Sequence, residues 1–256
     1  MGGLIKTAEE IEILRESGRR LAVVLDTLAR AVKPGVSTFD LDALAYRLIT
    51  EGGDKPAFLN YKPKGAIRPF PNTLCISVNA EVVHGIPRTD HILKEGDTVG
   101  LDLGLSHEGM FTDHAIRVAV GEISKEDRKL LEATKEALYL GIKAAKHGNR
   151  IGDIGHAISF SIEKAGFSVV EELGGHGLGY NAHEPPEVPN TGTAGTGRKL
   201  EPGMVLAIEP IVNAGKPDII IDSDKWTIRT RDGSRSCQFE HTILITEGEA
   251  EILTKL

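Results

Sequence analysis

Cysteine is scarce in this 256-residue chain, and long hydrophobic runs are missing from it. Two cysteines, Cys75 and Cys237, are too few for a disulfide framework or a four-thiolate zinc site, and they are typical of a reducing compartment. No stretch approaches the roughly 18 apolar residues of a membrane span, and no signal segment opens the sequence. We therefore expect a cytoplasmic protein with no membrane association.

The chain also lacks an excess of positive charge. Its 30 Lys and Arg residues oppose 37 Asp and Glu residues, which gives a formal net charge of -7. Direct nucleic-acid recognition is therefore not expected, because phosphate binding favours a basic surface. A chain of this length can bury roughly 70 to 75 % of its unfolded surface, so it can fold without disulfides or a structural metal.

Two pairs of helices, each followed by β-patterned segments, are predicted from the spacing of apolar residues. The helices are predicted over 8–32, from Ser37 or Thr38 to 52, over 125–146 and over 152–165. The β-patterned segments are 73–79, 98–106, 110–120, 168–180, 204–213, 217–231 and 236–246. The repeated order predicts two pseudo-equivalent halves, about 8–122 and 123–256, packed as a single domain over 1–256.

A β-hairpin that turns at 108–109 brings two acids together. If the turn is centred there, paired residue numbers sum to 217, so Asp102 faces Ala115 and Asp113 faces Gly104. Both carboxylates then lie on one face as diagonal neighbours, with backbones about 7 to 8 Å apart. The small residues around them are expected to leave space for something bound.

Two carboxylates on one buried face repel each other. Burying them costs several kcal/mol unless a cation compensates the charge, and a divalent metal ion is the natural compensation. The hairpin alone is equally compatible with a solvated sheet face that carries two unrelated acids.

Three more candidate ligands occur in the second half: His176, Glu209 and Glu240. His176 and His183 lie seven residues apart in a glycine-rich segment, where a histidine is often only a turn residue. Glu209 and Glu240 lie in apolar strand patterns, where a glutamate is unusual unless it is paired, for example in a salt bridge. Together with the hairpin acids they provide four carboxylates and an imidazole, a set suited to two adjacent divalent ions that bridge a water.

These residues lie in segments that resemble the type I methionine aminopeptidases of peptidase family M24. The matching segments follow the family order from about residue 8 to the C-terminus: 79–87, Asp102 with Asp113, 175–179, 183–186, 208–210 and 238–241. The resemblance implies an α+β pita-bread (creatinase/aminopeptidase) fold. In this fold two pseudo-symmetric halves each pack two helices on a curved antiparallel sheet.

The resemblance also implies roles for the candidate residues. It implies that two divalent ions, of Co, Mn, Fe, Zn or Ni, are held by Asp102, Asp113, His176, Glu209 and Glu240. Asp113 and Glu240 would bridge the ions, which lower the pKa of a shared water to give a bridging hydroxide. His84 and His183 would be catalytic groups in contact with the substrate, and Glu209 would accept the proton of the nucleophile.

The same resemblance implies an apolar pocket for the methionine side chain. Its lining would be Tyr61, Phe70, Cys75 and Trp226. Ala182 stands where the relatives carry a bulky aromatic residue, which leaves the pocket wider or differently closed.

The function implied is removal of the initiator methionine from nascent proteins whose second residue is small. Two alternatives stay open: an aminopeptidase of the same fold with an altered N-terminal preference, and a non-catalytic pita-bread binding protein. The implied partners are nascent polypeptide N-termini and the ribosome, with the basic loop at Lys62, Lys64 and Arg68 as the docking candidate. A monomer is the family expectation.

Overall fold

The computed structural model describes residues 3–256 of the chain. The helices of this range are α1 (Ala8–Ala31), α2 (Thr38–Glu51), α3 (Lys125–Ala144) and α4 (Ile151–Ala165). All four predicted helices are therefore confirmed, with ends that shift by no more than two residues. Within residues 3–256, no helix is both long enough and apolar enough to cross a membrane.

Capping residues explain where the helices begin and end. Ser37 is the N-cap of α2: its hydroxyl accepts from the Asp40 N–H at 3.1 Å, and the Asp40 carboxylate accepts from the Ser37 N–H at 3.3 Å. This reciprocal capping box satisfies two amides that the helix leaves unpaired. Helix α4 ends at Gly166, whose φ of 84° is the left-handed conformation that glycine adopts without strain.

The strands are short, apart from two of ten residues each. They are β1 (Lys55–Pro56), β2 (Cys75–Val78), β3 (Glu81–Val83), β4 (Thr98–His107), β5 (Met110–Ala119), β6 (Ser168–Val169), β7 (Gly174–Gly177), β8 (Glu184–Pro189), β9 (Val205–Ile208), β10 (Ile211–Asn213), β11 (Ile219–Ile221), β12 (Ile228–Thr230), β13 (Ser236–Gln238), β14 (Glu240–Leu244) and β15 (Glu251–Ile252).

Strands β4 and β5 form the predicted hairpin in the middle of a nine-stranded sheet. The sheet order is β1-β4-β5-β14-β9-β7-β8, with β2 also paired to β4 and β15 to β14. Asp102 pairs with Ala115 and Gly104 with Asp113, so the predicted register is confirmed. Because β14 pairs with β5 through Glu240 and Ala115, the second half of the chain joins the first beside the two acids.

Two predicted strands of the second half are broken at their glutamates. The segment 204–213 divides into β9 in the large sheet and β10 in a three-stranded sheet with β13 and β6. Pro210 has no N–H to donate to a ladder, so pairing in the large sheet ends at Ile208 and Glu209 lies at the break. The segment 236–246 makes the opposite change at Phe239, from β13 in the small sheet to β14, which begins at Glu240.

The apolar face of the hairpin packs against the helices. Leu101, Leu103 and Leu105 are fully buried in one cluster with residues of α1 and α2, among them Leu25. Residues of α3 and α4, including Ile158, fill a second cluster with β9 and β14. This packing directs Asp102, which alternates with the leucines, to the opposite face of the sheet.

We expected the small residues around the two acids to leave free space. The two glycines on that face, however, lie against other side chains of the chain. A Cβ at Gly104 would lie 2.9 Å from the Cβ of Ala57 and 3.0 Å from Cε1 of Phe58. At Gly100 it would lie 3.4 Å from Nη1 of Arg117. The chain's own side chains therefore back these two positions, and the space expected beside the acids is the cavity of about 220 Å³ that Asp102 and Asp113 line.

Candidate metal centre

A cavity of about 220 Å³ lies on the acid-bearing side of the hairpin. It brings together all the residues that were predicted for the site: Tyr61, Phe70, Cys75, His84, Asp102, Asp113, His176, His183, Glu209, Trp226 and Glu240. Phe58 and Pro63 also line it and were missed. Their proximity to Tyr61 in the sequence was the signal that could have found them.

The five candidate ligands converge from separate strands. Asp102 and Asp113 project from β4 and β5, His176 from β7, and Glu240 from the start of β14, while Glu209 follows β9. One ligand atom each of Asp113, His176 and Glu240 lies within 4.8 Å of the others. Nε2 of His176 lies 3.8 Å from Oε1 of Glu209. Asp102 stands outside the tight group of three and lines the same cavity.

Unpaired carboxylate oxygens show that this cluster suits a cation. Oδ1 of Asp102 and Oε1 of Glu240 are buried and have no hydrogen-bond partner among residues 3–256. A buried polar atom without a partner is costly, and a buried carboxylate more so. Four carboxylates and one imidazole are ligand types that divalent transition metals accept. The residues present therefore fit a divalent metal centre.

Burial also raises the pKa values of the four acids in this cluster. Burial raises the pKa of Asp102 to about 7. Burial raises the pKa values of Asp113, Glu209 and Glu240 well above their usual range, and the neighbouring carboxylates raise them further. With protein groups alone the cluster holds protons near neutral pH. A metal ion that binds there must displace them.

The histidines of the cavity are neutral near pH 7. Burial lowers the pKa of His84 to about 4 and that of His176 to about 3, with a smaller contribution from His183 in each case. Burial also lowers the pKa of His183, although part of this residue is accessible from outside. Nδ1 of His176 lies 2.9 Å from the Gly177 carbonyl, which can only accept, so Nδ1 carries the proton and Nε2 presents a free lone pair.

A tight turn presents His84 to the cavity. His84 has a φ of 57°, in the left-handed region that is unusual for a residue with a side chain. The next residue must be glycine, because a Cβ at Gly85 would lie 2.0 Å from the Ile76 carbonyl oxygen. The segment 79–87 therefore holds His84 in one orientation.

Aromatic rings form the apolar wall. Tyr61 stacks on His183 with ring centroids 5.1 Å apart. Trp226 contacts Phe70 edge-on at 5.3 Å and His84 at 6.1 Å. Cys75 pairs with Asp102 across β2 and β4. Burial, and then the charge of Asp102, raises the pKa of the Cys75 thiol well above its usual range, so this residue is an apolar lining group and not a thiolate nucleophile.

Further polar residues hold the acids, and sequence reasoning assigned them no role. Nε2 of Gln238 donates to Oε2 of Glu209 at 3.1 Å, and Nδ2 of Asn190 donates to the Glu209 carbonyl at 2.9 Å. The Thr242 hydroxyl accepts from the Asp113 N–H at 2.9 Å and donates to the Asp113 carbonyl at 2.7 Å. The signal for Thr242 was the one that identified Glu240: a polar residue within an apolar strand.

Comparison with known proteins agrees with this geometry. The model of metallopeptidase family M24 matches residues 12–247. The methionine aminopeptidase of Aquifex aeolicus is 46 % identical over 250 residues, which cover 96 % of each chain. Methionine aminopeptidase 1 of Bacillus subtilis strain 168 is 45 % identical over 253 residues, which cover 99 % of each chain.

Solved structures extend the comparison to the fold. The methionine aminopeptidase of Thermotoga maritima superposes with a TM-score of 0.93 at 42 % identity, covering 98 % of this chain and 99 % of that one. An Xaa-Pro dipeptidase of Bacillus anthracis, 23 % identical, superposes with a TM-score of 0.77 over 99 % of this chain and 62 % of that one, which shows a shared fold alone. The predicted α+β pita-bread fold is confirmed. The chain belongs to metallopeptidase family M24, and this membership implies divalent-metal binding.

Proposed function

We propose that this chain is a metal-dependent aminopeptidase that removes N-terminal methionine from polypeptides whose second residue is small. The observation that carries the proposal is a single cavity that joins a carboxylate and histidine cluster to an aromatic wall. Relatives that are named methionine aminopeptidase and match over nearly the whole chain support the same activity.

The metal centre in this proposal holds two ions. The five ligands would be Asp102, Asp113, His176, Glu209 and Glu240, and Asp113 and Glu240 would be shared between the two ions. The closeness of Asp113 and Glu240, which each offer a ligand atom within 4.8 Å of the other, supports this shared role. When bound, the ions supply a water of lowered pKa and polarise the scissile carbonyl. Mn, Fe, Co, Ni and Zn all accept this ligand set, so the metal that is available decides which one binds.

Three side chains handle protons and charge in this reaction. Glu209, which lies beside His176 in the cavity, would accept the proton of the attacking water. His183 is neutral and donates a hydrogen bond to the oxyanion that develops on the scissile carbonyl. His84, held by the turn before Gly85, contacts the scissile amide on its leaving side.

The side chain of the first residue enters the aromatic part of the cavity. Tyr61, Phe70, Cys75 and Trp226 offer an apolar lining in which sulfur-aromatic contacts favour a thioether. Ala182 supports a second candidate, an aminopeptidase of the same fold that accepts other N-terminal residues. It is buried in the apolar cluster of this wall and fills less of it than an aromatic side chain would.

The two halves of the chain form one catalytic domain in this proposal, since 8–122 provides two of the acids and 123–256 provides the other ligands. We further propose that the protein acts in the cytoplasm, as a monomer that meets nascent chains. The basic loop is the proposed ribosome contact. Lys62, Lys64 and Arg68 are exposed there, and Pro63 of the same loop lines the cavity.

Peptide hydrolysis tests the activity directly. Purified protein supplied with Mn²⁺ or Co²⁺ should release methionine from Met-Ala-Ser, and it should leave Ala-Ala-Ser and Xaa-Pro peptides intact. Cleavage of Ala-Ala-Ser at a similar rate would favour the second candidate. Failure to release methionine with any divalent ion would refute the proposal.

A bridging role for Asp113 makes a sharper prediction. Asp113→Asn keeps the size of the side chain and removes the charge that both ions share, so turnover should fall by at least about 10³-fold. Asp90→Asn, on an exposed loop of the same half, is the matched control and should retain activity. An active Asp113→Asn enzyme would show that the bridging assignment is wrong.

A further inference from the structure

A second cavity opens from the candidate metal centre on the side away from the aromatic wall. This groove has a volume of about 830 Å³ and shares His84, His176, His183 and Glu209 with the smaller cavity. Val83 and Ile211, both buried, also line it. The candidate catalytic residues therefore lie at the junction of a closed apolar pocket and a larger open groove.

A buried polar side chain lies at the inner end of this groove. His176 is 8 % exposed and lines the groove, and its Nε2 has no hydrogen bond among residues 3–256. In the register of β7 and β8, Glu187 lies directly opposite His176. Residues that face each other across an antiparallel pair project to the same side of the sheet, so Glu187 extends the polar surface outward from His176.

Negative charge covers the outer part of the groove. Besides Glu209 at the metal centre, four glutamates line it: Glu171, Glu172, Glu184 and Glu187. Glu184 is neutralised by Lys6, whose Nζ lies 3.1 Å away. The other three form no ion pair within residues 3–256, and no Lys or Arg of that range lines the groove. Three uncompensated carboxylates thus border a path that leads to the metal centre.

A polypeptide cleaved after its first residue needs room for the rest of its chain. With the first side chain in the aromatic pocket, the scissile bond lies at the shared residues, and the following residues enter the groove. We propose that the groove defined by Glu171, Glu172 and Glu187 binds residues three to five of the substrate and selects chains that are basic there. This inference rests on the proposed function and adds a specificity-determining surface to it.

Matched peptides test the inference. Met-Gly-Lys-Lys-Gly and Met-Gly-Glu-Glu-Gly differ only in charge beyond the second residue, and Met-Gly-Gly-Gly-Gly reports the basal reaction. We expect kcat/KM for the lysine peptide to exceed that for the glutamate peptide by about 5- to 30-fold at low salt, a range typical of a few exposed charge pairs. The ratio should shrink as salt is raised, because exposed charges are screened.

Charge-neutral variants locate the effect. In the triple variant Glu171→Gln, Glu172→Gln, Glu187→Gln the ratio of the two kcat/KM values should fall to about 1 to 3, since its charge attraction is removed. Glu126→Gln, Glu132→Gln, Glu136→Gln makes the same change of net charge on the exposed side of α3 and should keep the wild-type ratio. The inference would be overturned if the groove variant kept the wild-type ratio, or if the wild type itself cleaved the two peptides with equal kcat/KM.

A binding measurement separates this inference from the activity itself. Peptide analogues with a reduced first bond cannot be hydrolysed, and Trp226, the single tryptophan, lines the cavity and reports their binding by fluorescence. The lysine analogue should bind the metal-loaded enzyme more tightly than the glutamate analogue, and the groove variant should lose the difference. Failure to cleave Met-Gly-Gly-Gly-Gly would contradict the proposed function, whereas equal affinities for the two analogues would contradict the groove.

Discussion

Asp102 shows how burial alone prepares a carboxylate for a metal ion. Its pKa of about 7 lies far above the usual value near 3.9, so in the folded, metal-free protein it keeps its proton where the unfolded chain has lost it. This stabilising contribution is fully present below about pH 4 and is lost as the pH rises through about 7. Asp102→Asn removes the titration.

The prediction concerns the difference in the free energy of unfolding between the wild type and Asp102→Asn. In the presence of chelator, the free energy of unfolding of the wild type relative to Asp102→Asn should fall between pH 4 and pH 7, by on the order of 1.4 kcal/mol per unit of pKa shift. Urea denaturation across this pH range measures it. Parallel pH curves for the two proteins would mean that Asp102 is not desolvated in the folded state.

At the scale of single residues, the sequence was informative where a residue type is unusual for its sequence context. Asp102 and Asp113 could be paired because a centred hairpin turn fixes the register, and Glu209 and Glu240 were visible as acids in apolar strands. Phe58 could not be found in this way, because an aromatic residue beside a short strand is ordinary. Its place in the cavity depends on its contact with Gly104, which is distant in sequence.

At the scale of elements, the chain passes from one sheet to another beside Glu209 and Glu240, and these crossings position the two acids. Helices were predicted accurately because their apolar spacing and caps are local. The breaks in 204–213 and 236–246 were not predicted, because a change from one sheet to another depends on partner strands that are distant in sequence. Strand β14 returns to β5 here, and Thr242 makes with Asp113 the two hydrogen bonds that a backbone pair would otherwise make.

Thr242 should therefore position Asp113 relative to Glu240. Thr242→Val leaves the buried N–H and carbonyl of Asp113 unpaired, so we expect a loss of about 1–3 kcal/mol of stability and about a 10- to 100-fold weaker affinity for Mn²⁺. Thr242→Ser retains the hydroxyl and should restore metal affinity. Calorimetric titration with Mn²⁺ and urea denaturation measure the two effects. A valine variant that loses stability but binds Mn²⁺ like the wild type would limit Thr242 to a structural role.

At the scale of the whole molecule, the ligand cluster lies where the two halves of the chain meet. Asp113 comes from β5, whereas His176 and Glu240 come from β7 and β14. A divalent ion held by this cluster therefore links segments that are far apart in sequence, and the unfolded chain cannot present the same site. Metal binding must then stabilise the folded protein by an amount that grows with the ratio of free metal to its dissociation constant.

Metal removal and return test this linkage. Relative to chelator-treated protein, Mn²⁺ at about 100 times its dissociation constant should add about 2.7 kcal/mol and raise Tm by roughly 5–10 °C. Binding should also release protons into a weak buffer at pH 6.5, because the acids hold protons before the ion arrives. Scanning calorimetry and a pH indicator measure the two effects, and Asp113→Asn should diminish both. A rise in Tm without proton release would place the stabilising ion outside this cluster, since the buried carboxyl groups of the cluster hold the protons that the ion must displace.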